Sequence, residues 1–205
     1  MREPYVEHHG GIFRYVEFPA PVFSGHSHAL IYLHGAGERG DDLSLVLRYG
    51  LPSLLAAEMA HTNCSVICPQ LELGCEWQPQ RLASFIAYVR ERHEQVALIG
   101  YSLGGLGVCE FIARYGSLAN PAVAIAGRSN GPAVAPQAGV TFLAIHGELD
   151  TWPETRDFVL SVKARAGTAY EVVLPGEGHY ISEVALWDPS LQSILNASGF
   201  EVARQ

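Results

Sequence analysis

The chain has 205 residues, 48% of them hydrophobic, with 21 acidic side chains against 13 Lys and Arg and a formal net charge of −8. A chain of this length suits one domain and buries roughly 70% of the surface that its unfolded form exposes, so a full core is expected. The acidic balance, with no basic stripe to offset it, argues against nucleic acid or anionic lipid as the main partner, and the absence of an apolar run of about 18 residues argues against membrane insertion.

The opening segment "MREPYVEHHGG" has no apolar stretch of the kind a secretory signal needs, so a cytoplasmic protein is expected. Residues 12–18, "IFRYVEF", alternate and read as an edge strand. Runs at 28–34, 65–70, 96–100, 122–127 and 140–147 are continuously apolar, the pattern of strands covered on both faces in a parallel sheet. Residues 43–60 are apolar at helical spacing, and Pro52 is expected to split or kink that helix. Residues 79–94 open on a proline and place Leu82, Phe85, Ile86 and Val89 on one helical face. Further helices are expected over 103–115, 153–166 and 182–196, and a last strand at 169–176. The segment "GRSNGPAVAPQAGV" (127–140) is barely long enough for a crossover between parallel strands and has no room for a cap domain. Such alternation predicts an α/β fold: a mostly parallel twisted sheet of about seven strands with helices on both faces.

Cys64, Cys68, Cys75 and Cys109 fit no zinc spacing and read as free core thiols, with a Cys68–Cys75 pairing left open. His26 and His28 resemble a metal pair, but no further clustered ligands follow, so no metal is expected.

"GYSLG" (100–104) lies between a buried strand and a helix, the context in which G-x-S-x-G exposes a serine hydroxyl on a strained turn. Gly100, Gly104 and Gly105 meet the need for small neighbours there. A serine nucleophile needs a base, and the base needs an acid to orient it. Asp150 follows a strand end in "AIHGELD", and His179 sits in "LPGEGHY" after the last strand, so all three fall at the carboxyl edge of the sheet. Asp150 also reads as a helix N-cap. Glu148 is the rival acid, Asp157 falls within a helix, and His146 is the rival base. The loop "HGAGERGDD" (34–42) is placed to supply one oxyanion N–H, from Ala36 first and Gly35 next; the other is that of Leu103. No Gly-Lys-Ser/Thr follows, so the loop is no phosphate cradle, and no G-x-G-x-x-G follows the first buried strand to hold a dinucleotide.

"LHGAGERGDDL", "CPQ…W", "GYSLGG", "HGELD" and "GEGHY", spread over roughly residues 28 to 190, resemble the α/β-hydrolase superfamily. They are most similar to its small phospholipase/carboxylesterase and dienelactone-hydrolase-like serine esterases. That resemblance implies a cofactor-free hydrolase of carboxylic esters or thioesters acting through an acyl-enzyme. Ser102 would be the nucleophile, His179 the base, Asp150 the orienting acid, and Ala36 and Leu103 the oxyanion donors. The short "DTWP" turn and the brief 127–140 segment depart from the family pattern and bear on specificity. The partner is then a small-molecule ester or acyl substrate. Gly35, Tyr101, Trp152 and Tyr180 are candidates to contact it, as is Trp77, with core packing as the other reading of each aromatic. Arg39 and Arg128 are candidates to meet a substrate carboxylate or to be solvated. Two other functions remain open at this point: a peptidase or amidase with the same triad, and a non-catalytic small-ligand binding protein on the same fold.

Overall fold

The computed structural model describes residues 4–21, 27–151 and 155–205. The apolar runs become strands: β1 (Val6–His8), β2 (Arg14–Phe18), β3 (His28–Leu33), β4 (Ala60–Thr62), β5 (Ser65–Gln70), β6 (Gln95–Tyr101), β7 (Ala122–Ile125), β8 (Thr141–Gly147), β9 (Thr168–Leu174) and β10 (Val202–Arg204). The helices are α1 (Gly50–Ala56), α2 (Pro79–Arg90), α3 (Leu103–Tyr115), α4 (Arg156–Ala164) and α5 (Pro189–Ala197). Eight strands form one sheet in the order β1-β2-β5-β3-β6-β7-β8-β9. Pairing is parallel from β5 through β9 and antiparallel where β2 meets β1 and β5.

Every residue of β3, β5 and β7 is buried. Their side chains alternate between two cores. Ala29, Ile31 and Leu33 of β3 join Phe85 of α2, Phe111 of α3 and Phe158 of α4 on one face. Leu30 and Tyr32 join Leu51 and Leu54 of α1 and Leu191 and Leu195 of α5 on the other. Burying such a side chain contributes roughly 1.5–3 kcal/mol, so the two apolar layers fix which helix lies on which face.

Several expectations need correction. Among the described residues the sheet of about seven strands has an eighth, β1, whose three residues are too few to show a periodicity, and β1 displaces β2 from the expected edge. The apolar stretch after residue 43 is a 3₁₀ turn (Leu43–Leu47) followed by α1, so it breaks at 48–49. Pro52 lies in the first turn of α1, where its missing N–H removes no helical bond. The final helix starts at Pro189, with Asp188 accepting from Ser190 N, rather than at residue 182. The chain's last strand is β10, which pairs with β4 apart from the main sheet. All four cysteines are free, and Cys75 is exposed rather than in the core. Residues 126–140 hold neither helix nor strand, yet β7 and β8 remain parallel, and no cap domain is inserted there.

Candidate active site

Four loops meet at the carboxyl ends of the parallel strands: 34–42 after β3, Ser102 after β6, 148–150 after β8 and 175–180 after β9. Ser102 lies between β6 and α3 at φ 54°, ψ −111°. That left-handed φ costs a non-glycine residue about 1–3 kcal/mol and persists only where the surroundings impose it. Here Ser102 N donates to Ile125 O at 2.9 Å and Leu106 N donates to Ser102 O at 3.0 Å. A Cβ on Gly100 would fall 2.2 Å from Gly104 O, and one on Gly104 would fall 2.0 Å from Leu33 O. The turn therefore closes only with glycine at both positions.

His179 Nε2 is 2.9 Å from Ser102 Oγ, and His179 Nδ1 is 2.8 Å from Asp150 Oδ2. A carboxylate can only accept, so Nδ1 carries the proton and Nε2 is left to accept the serine hydroxyl. The Asp150 side chain is 1% exposed and that of His179 31%. The two loops are tied together where Leu149 N donates to Glu177 O at 2.8 Å. Glu148, the rival acid, accepts instead from Gly176 N at 2.9 Å. Asp157 lies in the first turn of α4. His146 is half-buried on β8, its Nδ1 without a partner among the described residues, and takes no part in the serine's hydrogen bonds.

Ser102 opens into a cavity of about 500 Å³ whose walls include Ala36, Leu103, Leu106, Ala126 and His179. Within the loop after β3, Gly35 N donates to Glu38 Oε2 at 2.8 Å. The Gly35 N–H is thus committed, and Ala36 follows it as the loop's cavity-lining residue. Tyr180 and Leu149 stand at the rim, 91% and 67% exposed.

The remaining candidates separate by placement. Arg128 lines the cavity. Tyr101, expected there, is the last residue of β6 and is buried in the core, and its hydroxyl donates to His179 O at 3.2 Å. It packs with Ile99 on the α1 and α5 side of the sheet, and the cavity wall does not include it. Gly35 also falls outside the cavity wall, behind Ala36, with its side-chain direction filled by Glu38, Tyr101 and Ser102. Trp77 is core: it packs on Phe13 and His34 and donates its indole N–H to His34 O at 3.2 Å. Arg39 braces the loop through Nε to Ala36 O at 2.9 Å and Nη1 to Cys75 O at 3.1 Å. Trp152 and His26 lie outside the described residues.

Two residues that sequence reasoning passed over hold this loop. His34 is buried, accepts Leu71 N–H at Nε2 (3.0 Å) and donates from Nδ1 to Gly35 O at 2.6 Å. Burial pushes its pKa down to about 4. Glu38 is 2% exposed, and burial pushes its carboxyl up to about 7. A lone acid among the small residues of "HGAGER" was the available signal.

No family model matches the chain, and no curated protein matches it by sequence. Solved structures do. One is a thermostable esterase, at TM-score 0.69 and 16% identity over 98% of this chain and 64% of that one. The chain therefore spans less than two thirds of that protein's length. A carboxylesterase from Mesorhizobium loti matches at TM-score 0.65 and 17% identity, over 96% of this chain and 99% of its own. A phospholipase/carboxylesterase from Dyadobacter fermentans matches at 0.62 and 16%, over 91% and 96%. The chain has the α/β-hydrolase fold. At these identities the likeness is one of architecture, and function has to be argued from the site.

Proposed function

We propose that the protein is a serine hydrolase that cleaves carboxylic esters or thioesters through an acyl-enzyme in a lidless site. The observation that carries this reading is the unbroken hydrogen-bonded series Ser102–His179–Asp150 at the mouth of a cavity. Ser102 Oγ attacks the substrate carbonyl while His179 Nε2 takes its proton. Asp150 keeps the imidazole in the tautomer that can do so and stabilises the imidazolium that results. The tetrahedral oxyanion is received by the N–H groups of Ala36 and Leu103, each worth roughly 100- to 1,000-fold in rate. His179 then returns the proton to the departing alcohol or thiol. In the second half a water attacks the acyl-serine with His179 again as base, releasing the acid and restoring Ser102.

The test is labelling with a fluorophosphonate, read by intact mass, beside turnover of p-nitrophenyl esters. Wild type should gain one adduct and hydrolyse the esters, and Ser102→Ala should do neither. A folded wild type that takes no label would overturn the nucleophile. One that is labelled yet turns over no ester or thioester would overturn the substrate class.

A further inference from the structure

Glu38 is not in the triad, yet its carboxyl is buried directly behind the oxyanion loop. Acids are almost never fully buried unless a partner compensates, because desolvating the group costs more than packing its methylenes returns. Only half of this carboxyl is compensated. Oε2 accepts Gly35 N–H at 2.8 Å, whereas Oε1 has no partner among the described residues. Its surroundings include Tyr32 from β3, Cys68 from β5 and Tyr101 from β6, and the Arg48 guanidinium also acts on it. A methionine of similar volume would fill that space at lower cost. What the carboxyl adds is an acceptor for one particular N–H.

That N–H decides how the loop presents itself. Gly35 and Ala36 carry adjacent N–H groups in a turn that has just left β3. Among the described residues, the side-chain donors to Gly35, Ala36 and Glu38 all reach carbonyls: His34 Nδ1 to Gly35 O at 2.6 Å, Arg39 Nε to Ala36 O at 2.9 Å and Gln70 Nε2 to Glu38 O at 3.1 Å. Without the carboxyl, the peptide N–H of Gly35 would be a buried orphan, and relieving it would rotate the turn.

We propose that Glu38 is a positioning residue: by taking the Gly35 N–H inward it holds the Ala36 N–H toward Ser102 for the substrate's oxyanion. This rests on the reading of Ala36 as an oxyanion donor. It predicts that the acceptor oxygen matters and that the negative charge does not.

The test compares wild type, Glu38→Gln and Glu38→Met on p-nitrophenyl acetate. Glu38→Gln keeps an oxygen that can accept from Gly35 and should stay within about fivefold of wild type in kcat. Glu38→Met keeps the volume without that oxygen, and its kcat should fall about 100-fold, the value of one oxyanion donor, with KM nearly unchanged. Folded Glu38→Met within threefold of wild type, or Glu38→Gln as impaired as Glu38→Met, would overturn the role. So would a KM that rises while kcat holds. Amide hydrogen exchange on wild type gives a reading independent of whether Glu38→Met folds. Gly35 N–H should exchange well over tenfold more slowly than Ala36 N–H, and equal rates would overturn the anchor. Wild type with no ester turnover would overturn the hydrolase reading itself, whereas an active wild type with an equally active Glu38→Met removes only the role of Glu38.

Discussion

Replacing Ser102 by alanine removes one oxygen from a turn whose backbone bonds, Ser102 N to Ile125 O and Leu106 N to Ser102 O, do not involve that oxygen. Stability should therefore change little while kcat falls by about a million-fold, as in triads where the nucleophile acts as one unit with its base. Residual turnover within tenfold of wild type would contradict the assignment. Asp150→Asn is the subtler change. It offers Nδ1 an amide that can donate as well as accept, so His179 is free to hold the wrong tautomer, and kcat should drop by roughly 10,000-fold with KM little altered. Steady-state kinetics on a p-nitrophenyl ester checks both. The convergence of Ser102, His179 and Asp150 was legible in the sequence because chain order and strand-end position are both linear properties. Glu38 and His34 were not, since what matters about them is burial against β5 and β6, which only the folded sheet supplies. Tyr101 ends β6, and strand alternation puts it with Ala97 and Ile99 on the face packed against α1 and α5.

The loop leaving β3 carries two titratable groups shifted in opposite directions, and their linkage can be worked out. Burial raises Glu38 from 4.5 to about 7, so the folded state holds that proton more tightly than the unfolded one. Its contribution is complete below the ordinary carboxyl value and is lost as pH rises to about 7. Burial lowers His34 from 6.5 to about 4, so its contribution is complete above 6.5 and is lost as pH falls toward 4. Each spans roughly 3 kcal/mol at full extent, and over the same pH window the two slopes largely cancel. Glu38→Gln removes one of them. Its stability relative to wild type should therefore climb by about 3 kcal/mol between pH 4.5 and pH 7.5, measured by urea unfolding. A difference independent of pH would show that Glu38 is not desolvated in the folded state. At this scale the sequence marked the long buried strands and the amphipathic α2 well, because both have a period. It missed β1, β4 and β10, three residues each, and put the break in the 43–60 stretch at Pro52 although a proline in a first turn breaks nothing.

The sheet order places β6 between β3 and β7, so Ser102 emerges beside the loop that leaves β3, with the loops that carry Asp150 and His179 arriving from β8 and β9 beyond. The class of fold follows from alternating strands and helices. The eighth strand does not, since nothing in "VEH" distinguishes an edge pairing from a loop. The connection over residues 126–140 is irregular and short; it gives the cavity wall Ala126 and Arg128, which stand beside Leu103 and Leu106, with the exposed Leu149 and Tyr180 at the rim. The proposed lidless site makes a graded prediction about acyl length. Each methylene that the apolar wall buries contributes about 0.8 kcal/mol, which is roughly fourfold in kcat/KM. The series from p-nitrophenyl acetate through butyrate should therefore climb by roughly that factor per carbon. Once the chain reaches the rim the added carbons lie in water, so the curve should flatten rather than collapse. On that proposal there is no cover to displace, so the rate should also follow a simple hyperbola in substrate concentration, without a jump where the ester begins to form droplets. A steep loss beyond four to six carbons, or a jump at the solubility limit, would mean that the site is closed in solution and that its cover has to move before substrate enters.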